Sequence, residues 1–518
     1  MPVSSFCILP KGTKGETNMK EKKLLTKKIL LAALLTVPFC MTGCSKGGGE
    51  AEKIITVSVF DRGNVPASEG TYENNRWTKF INENSGVNVK WVPIPRNEAK
   101  QKFSMLVAAG EAPDLICDYD ASLFSAFIKQ GVLQSVDEPI EKYSTAYKKY
   151  LEENPKLNDF ITFDGKKYLI TSKRSQDSVL NHGVWIRQDW LDKLNLKMPE
   201  TDEELLNVAR AFRDGDPDGN GVNDTTAMAV INWHEIFPSM YQSSKLWYNE
   251  GGTLKFGRTL DRYADALGYM KTLYDEGLID KEFIRQTQLW TTGKSGILTQ
   301  TWRSTMSKEL LLNDPDAKPV PLKPVSTKYG TNSFWKEAAP GYYVGFNKNL
   351  KDTESTMKFI DWMIDKGWFN IKFGNEGEHY NLVDGVPQII DQAKFTNEVE
   401  YALDYAIVSQ WQVKPEWIPV MAAQDDISQT LAKLQEASMK VNSSVDFRRD
   451  IPVDPRIDDV VSVIDAFEPL HDSIRMKVIS GGAKYTPEWG IQELRSEWKR
   501  VGGDNAEALM NEWYKSNK

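Results

Sequence analysis

Between Lys53 and Tyr119 the chain switches hydrophobic period four times, and this alternation constrains the fold more than any other feature. "KIITVSVF" (Lys53 to Phe60) is β-branched and apolar, the pattern of a strand. "YENNRWTKFINENSG" has helical spacing and stops at Gly86. "VNVKWVPIP" is a second strand, ended by Pro93 and Pro95. "NEAKQKFSMLVAAG" places Phe103, Leu106 and Val107 on one helical face, and "APDLICDY" is a third strand. A β-α-β-α-β order implies a parallel sheet with helices on its faces, and right-handed crossovers make it the start of a doubly wound lobe. Such sheets bind ligands at the carboxyl ends of their strands. Those ends are Asp61, Arg62 and Asn64 after the first strand, and Asp118, Tyr119 and Asp120 after the third.

A second unit opens near "HGVWIRQDWLDKL". Thr201 to Glu204 reads as a capping box before the helix "DEELLNVARAF". "DRYADALGYMKTLYDEGLID" is another amphipathic helix, "SGILTQTW" a buried strand ending at Trp302, and "YYVGFNKN" a returning strand before the helix "TESTMKFIDWMIDKG". From about Ala402 the pattern is mostly helical.

The front of the chain sets the compartment. From Met19, the expected start, Lys20, Lys22, Lys23, Lys27 and Lys28 form a basic region, and Ile29 to Phe39 an apolar run too short to span a bilayer. Met41-Thr42-Gly43-Cys44 resembles a bacterial lipobox, with methionine where leucine is usual. The resemblance implies a signal peptide over residues 1–43 and a Cys44 that carries lipid, palmitate included. An ordinary signal peptide cut nearby is the alternative. Residues 44–53, rich in glycine, then form a flexible tether. Residues 1–43 hold seven lysines and two glutamates, so their loss takes the net charge from −8 to −13. So acidic an exported chain has no electrostatic claim on nucleic acid. Only Cys117 is left unmodified, so no internal disulfide forms.

"DGDPDGNGVNDT" (Asp214 to Thr225) is an acidic loop between a helix and the strand "TAMAVI". Counted from Asp216, oxygen-bearing side chains fall at positions 1, 3, 5 and 9 (Asp216, Asp218, Asn220, Asp224), with Gly221 at 6 and the Val222 carbonyl at 7. That is the first part of an EF-hand-type Ca2+ loop. Hard oxygen donors favour calcium over transition metals. Position 12, where a bidentate glutamate belongs, is Ala227; a register from Asp214 places Thr225 there instead. The bland reading is an acidic turn without metal. If calcium binds, it staples the loop, since no nucleophile or general base stands beside it.

The segments "DRGNVPASEGTYENNRWTKFINE", "VPIPRNEAKQKFSMLVAAGEAPDLI", "GVWIRQDWLDKLNLKMPETDEEL", "LYDEGLIDKEF" and "NEGEHYNLVDGVPQI", in this order, resemble the bacterial extracellular solute-binding proteins of family 1, most of all the long subgroup that includes alginate-oligosaccharide binders. The resemblance spans essentially the whole chain after the tether. It implies a two-lobed periplasmic-binding-protein-like α/β fold, each lobe a doubly wound sheet with flanking helices, hinge-linked around a cleft. Lobe one is expected at 54–180 plus 331–398, lobe two at 181–330 plus 399–518. The implied function is capture of an oligosaccharide by lobe closure and delivery to the permease subunits of an ABC importer. The protein is expected as a monomer at the extracellular face of the cell membrane, held through its lipid anchor. Relatives commonly carry a glutamate directly after the position-9 aspartate of the calcium loop, where this chain has Thr225, and they often place a sugar-stacking tryptophan where this chain has Trp302.

Of the sixteen tryptophans and nineteen tyrosines most must be core. Aromatic faces stack on pyranoses, and carboxylates, amides and guanidinium groups fix hydroxyls. Besides the strand-end residues, the candidates are Trp302 and Arg303, Trp233, Glu376, His379 and Tyr380 in a glycine-flanked loop, and Trp411 and Trp417 around "QVKPE". Each competes with a packing or surface role. Arg187 reads as a salt-bridge residue. The rival functions are a lipid-anchored glycan-processing enzyme and a ligand-sensing module for a membrane kinase. Nucleophile and phosphate-loop motifs are absent, and the four histidines lack metal spacing, so no catalytic residue is assigned.

Overall fold

The computed structural model describes residues 54–175, 183–303, 306–332, 339–445, 448–451, 455 and 457–516. The expected signal peptide and tether, Cys44 included, lie outside the described residues.

Two sheets organise the chain. Their strands are β1 (Ile54–Asp61), β2 (Asn88–Pro95), β3 (Leu115–Asp118), β4 (Leu169–Lys173), β5 (Gly183–Arg187), β6 (Thr226–Val230), β7 (Ser295–Gln300), β8 (Pro319–Pro321) and β9 (Pro340–Phe346). The first sheet has the order β2-β1-β3-β9-β4, the second β8-β5-β7-β6. β1 lies parallel to β2 along its full length, from Ile54 opposite Asn88 to Asp61 opposite Pro95, and parallel to β3 through Val57 and Leu115. This is the parallel core the alternating pattern implies. β9 joins it antiparallel, between β3 and β4, so a strand that follows the second sheet in sequence completes the first. In the second sheet β7 runs parallel to β6 and antiparallel to β5.

Helices cover both sheets. α1 (Arg76–Asn84) is closed at its start by a capping box of Asn75 and Thr78, and α2 (Ala99–Ala109) ends on Gly110 in the left-handed conformation. α3 (Ala121–Lys129) is capped by Asp120. α4 (Asp202–Asp214) begins with the capping box of Thr201 and Glu204. Gly296 shows why β7 starts with a small residue: a Cβ there would stand 2.2 Å from the Phe212 ring and 2.6 Å from the Trp190 ring. Its absence lets both aromatics lie directly on the sheet, edge to face at 5.3 Å.

Two large cores form around these sheets. One runs from Ile55 through Phe346 and on to Val408; Tyr401, Ala402, Tyr405, Ile407 and Val408 all belong to it. The other gathers Ile186, Phe212, Met228 and Ile297 with Phe467, Leu494 and Met510 of the C-terminal helices. A smaller group around Trp185, Trp290 and Leu298 covers the other face of the second sheet. Arg187 is 2 % exposed and pairs with Asp189 at 2.5 Å and Asp314 at 2.8 Å, the salt-bridge role read for it. Among the described residues no helix is long and apolar enough to cross a membrane.

Candidate functional site

The topology of the first sheet brings four strand ends to one edge. β1, β3 and β4 present their carboxyl ends there, and antiparallel β9 presents its amino end. Arg62, Tyr119, Lys173 and Tyr342 therefore converge on the rim where an α/β sheet binds ligands. Thr301, Trp302 and Arg303, directly after β7 of the second sheet, face the same space. The segment from Glu400 to Trp411 forms another wall. Together they enclose a cleft of about 780 Å³, room for several sugar rings.

Asp404 organises the floor. Its buried carboxylate accepts from Arg62 Nε at 2.5 Å, from Arg62 Nη2 at 3.1 Å and from Tyr119 Oη at 3.2 Å. The Asp404 pair holds the Arg62 guanidinium in its charged form above its ordinary pKa. Burial, reinforced by the Asp404 charge, pushes the Tyr119 phenol up to about 12. Tyr119 stacks on Phe60 at 5.7 Å, with Arg96 over both rings, and packs against Tyr342 at 4.6 Å. On the facing wall Arg303 lies over the Trp302 ring at 5.2 Å. Trp411 is wedged among Phe373, Trp417 and Trp368.

A helix with one irregular turn supplies the last wall residue. Thr353–Trp362 passes through a π-helical turn, Met363–Gly367, into Trp368–Phe373. Such turns re-aim the residues that follow. Here they direct Lys372 to the cleft. Burial, with the positive charge of Arg303 as a smaller contribution, brings the Lys372 amine down to about 8.

Of the residues singled out in the sequence, the structure gathers Arg62, Asn64, Tyr119, Trp302, Arg303 and Trp411 around the cleft. Asn64 accepts a hydrogen bond from Tyr72 Oη at 2.5 Å. Trp417 stands behind Trp411, at 5.5 Å, and does not line the cleft. Asp61 turns to an adjoining hollow beside Arg96 and accepts from the Gly63 amide. Asp118 is buried and holds the Asp120 amide, while Asp120 caps α3. Trp233 is core, stacked on Phe283 at 5.6 Å. Glu376 lies on an exposed turn, and Tyr380 packs against Phe369 and Phe373. His379 is buried: its Nδ1 accepts from the Asn375 amide, so Nε2 donates to Glu398 at 3.1 Å. Glu398 in turn takes Arg76 at 2.6 Å, and Glu378 takes Lys394 at 3.3 Å. The Glu378, His379 and Glu398 cluster has the geometry of a metal site, but its donors already hold one another and two cations. Sequence reasoning missed Asp404, Tyr342, Lys173, Arg174 and Lys372. Their signal is position along a returning strand or a crossing segment, which only the assembled sheet reveals.

The acidic loop lies far from the cleft, at the end of α4. Asp216 has φ +45°, and Gly219 and Gly221 have φ near +75°, a tight turn that points its acids inward. Asp216 Oδ1 and Asp218 Oδ1 are buried with no hydrogen-bond partner. Two orphaned anionic oxygens aimed inward are what a divalent cation would satisfy. Asn220 bridges Asp218 and Asp224 through its amide, and Val222 donates its N–H to Asn220. Lys294 reaches in from the second sheet, 2.7 Å from Asp218 and 2.8 Å from Asp224, and these two acids raise its pKa. Thr225, expected in the ligand set, donates its hydroxyl to the Phe212 carbonyl at 2.9 Å and so closes α4. The side chains present fit calcium through Asp216, Asp218, Asn220 and Asp224, with Lys294 as a competing positive charge.

Fold and cleft together define a two-lobed ligand-binding protein. Residues 68–368 match the profile of the bacterial extracellular solute-binding proteins, and the chain belongs to that family. Among its relatives is the polygalacturonan/rhamnogalacturonan-binding protein YtcQ of Bacillus subtilis (strain 168). It is 28 % identical over 381 residues, covering 68 % of this chain and 74 % of the relative. Among solved structures the chain is similar to the S. pneumoniae ABC-transporter substrate-binding protein FusA in complex with kestose: TM-score 0.68, 18 % identity, 90 % of this chain and 100 % of that one. It is also similar to the alginate-binding protein AlgQ2 solved without calcium ion: TM-score 0.67, 19 % identity, 90 % and 99 % of the two chains.

Proposed function

We propose that this protein captures an oligosaccharide outside the cell and passes it to the permease of an ABC importer. The carrying observation is the cleft itself: two aromatic side chains, Trp302 and Trp411, reach it from segments that pack on different sheets. Family membership and the saccharides named for the relatives support the same reading. A ligand touching both walls stabilises the closed arrangement over the open one, and this difference drives closure. In this reading lobe one comprises 54–180 with 331–398, the expected bounds, extended to Trp411 because the Tyr401–Val408 segment packs in the first core and Trp411 against it, and lobe two the remainder. Cys44 carries the lipid anchor, the protein acts as a monomer, and calcium braces the Asp216–Asp224 loop. The cleft binds without turnover. Thermal melting and calorimetry of residues 45–518 against neutral and acidic oligosaccharides test this reading. Binding of one glycan class with no new product supports it; cleavage of that glycan points to an enzyme, and no binding to any saccharide refutes it.

A further inference from the structure

Asp61, at the end of β1, lines a second space rather than the cleft: a hollow of about 460 Å³ shared with Arg62, Pro95, Arg96, Asn97 and Glu98. The hollow continues the same sheet edge. Asp61 lies opposite Pro95 in the parallel pair of β1 and β2, so the edge that carries the cleft at β4, β9 and β3 carries the hollow at β1 and β2. Arg62 lines both spaces and so joins them.

The hollow holds hydrogen-bonding groups that the fold does not use. Arg96 is half-buried, its guanidinium 4.5 Å from the centre of the Phe60 ring and 5.5 Å from that of Tyr119. These rings hold the fork in place, yet among the described residues no acceptor takes any of its N–H groups. Asp61 Oδ1 accepts from the Gly63 amide at 2.8 Å, and its other oxygen has no partner among the described residues. Asn97 and Glu98 are exposed, and neither side chain is held by a hydrogen bond there. A planar fork already fixed by stacking loses little freedom when it binds. With Arg62 engaged by Asp404, the hollow sets one guanidinium beside two carboxylates, Asp61 and Glu98. Donors and anionic acceptors side by side match neighbouring sugar hydroxyls, each of which both donates and accepts.

We infer that the hollow is a further saccharide subsite: a chain bound in the cleft runs along the sheet edge past Arg62, and its end unit is held through neighbouring hydroxyls by the Arg96 fork and the free oxygen of Asp61. This rests on the reading of the cleft as a saccharide site and goes further by naming the residues that select chain length. A short saccharide occupies the cleft alone, and a longer one gains two charged partners. Arg62, fixed on Asp404, keeps the passage between the two spaces in one shape. Every residue of the hollow belongs to β1, to β2 or to the turn after each. The subsite therefore adds affinity in the open and the closed arrangement alike, and leaves closure to the contacts that span the cleft.

The test is calorimetry of residues 45–518 with chains of two to six units in four series: fructo-, gluco- and galacto-oligosaccharides and oligogalacturonates. In the series that binds, affinity should step up about tenfold at the length that first reaches the hollow, the size of hydrogen bonds to charged groups. Arg96→Ala should lower the ratio of long-chain to short-chain affinity by about the same factor. Loss of support for Tyr119 would instead weaken all lengths alike, so the ratio separates a ligand contact from a structural role. Asp61→Asn keeps the oxygen that accepts the Gly63 amide and should lower the ratio in the same direction; where melting shows R96A to be unfolded, D61N decides. A parent affinity that does not rise with length, or a ratio that the folded variant leaves unchanged, overturns the inference and leaves the oligosaccharide reading standing. Refusal of all four series removes both.

Discussion

Arg62 and Asp404, 342 positions apart in sequence, meet at the floor of the cleft in a two-pronged ion pair of 2.5 and 3.1 Å. The pair ties the first strand's carboxyl end to a segment that enters this core only after the chain has built the second sheet. Asp404→Asn removes the charge that orients Arg62 and the acceptor for Tyr119. The Arg62 side chain keeps 39 % of its surface in contact with solvent but Asp404 only 4 %, so the cost to folding should lie between that of a surface pair and a buried one, about 1–3 kcal/mol. Ligand affinity should also fall, about tenfold, because Arg62 then samples orientations the ligand must restrict. Urea unfolding and calorimetry separate the two; equal affinity in parent and variant would show that Arg62 does not contact the ligand.

Trp302→Ala should weaken saccharide binding by at least about tenfold, the loss of one ring–sugar stack. Trp302 is only partly buried and belongs to neither large core, so the melting temperature of the free protein should hardly move. Titration of the ligand identified by the saccharide panel measures the first effect and a melting curve the second. Normal binding would put the stacking surface elsewhere.

Part of the cleft rim was legible because the β-α-β-α-β pattern dictates which loops share an edge, although Asp61, Asp118 and Asp120, picked by the same rule, do not line the cleft. Arg62 and Tyr119 followed from that rule, and Trp302 with Arg303 from closing an apolar strand together with the family resemblance. The other half of the cleft was not legible. β9 is an apolar strand whose sequence does not reveal that it will insert antiparallel between β3 and β4. Lys372 looks like any helix-end lysine until a π-helical turn directs it inward. His379 misleads in the other direction: a histidine and acids in a glycine-flanked loop suggest chemistry, yet they clamp that loop to Glu398 and Arg76. Long-range packing decided each of these.

Gly296→Ala should destabilise the second sheet by about 2–3 kcal/mol. The new methyl would stand inside the van der Waals surface of both Phe212 and Trp190, two rings that hold each other in place. Phe212→Leu should recover part of the loss by making room. Denaturant midpoints of the single and double variants check this; a neutral G296A would mean that the α4 contact yields freely.

Half-buried His234 and fully buried His471, both on helices of the second core, predict how stability responds to acid. Burial brings His234 down to about 4, and burial lowers His471 as well; the latter is also held by Tyr263 at 2.6 Å. Both therefore stay neutral in the folded protein at pH values where the unfolded chain takes up protons. Their contribution is complete above the ordinary histidine pKa near 6.5 and is lost as pH falls from there toward about 4, where the His234 part levels off. His234→Gln should flatten that part of the profile by about 2–3 kcal/mol between pH 7 and 4. Unfolding free energies at half-unit pH steps read it directly, and parallel profiles for parent and variant would place His234 in contact with water.

Calcium and Lys294 should compete for the same acids. Lys294 holds Asp218 and Asp224 while Asp216 Oδ1 and Asp218 Oδ1 remain without a partner. An ammonium can satisfy only some of these oxygens, and a divalent ion can bridge all three carboxylates. Chelation should therefore lower the melting temperature by a few degrees through loss of metal linkage to the folded state, with Lys294 limiting the fall by staying on the loop. Lys294→Gln removes the competitor, so it should tighten calcium binding several-fold and enlarge the difference between melts with calcium and with chelator. Asp218→Asn should abolish that difference. If chelator leaves the parent unchanged and K294Q responds, the lysine has replaced the ion in this loop; if neither responds, the loop is an acidic turn held by Lys294 alone.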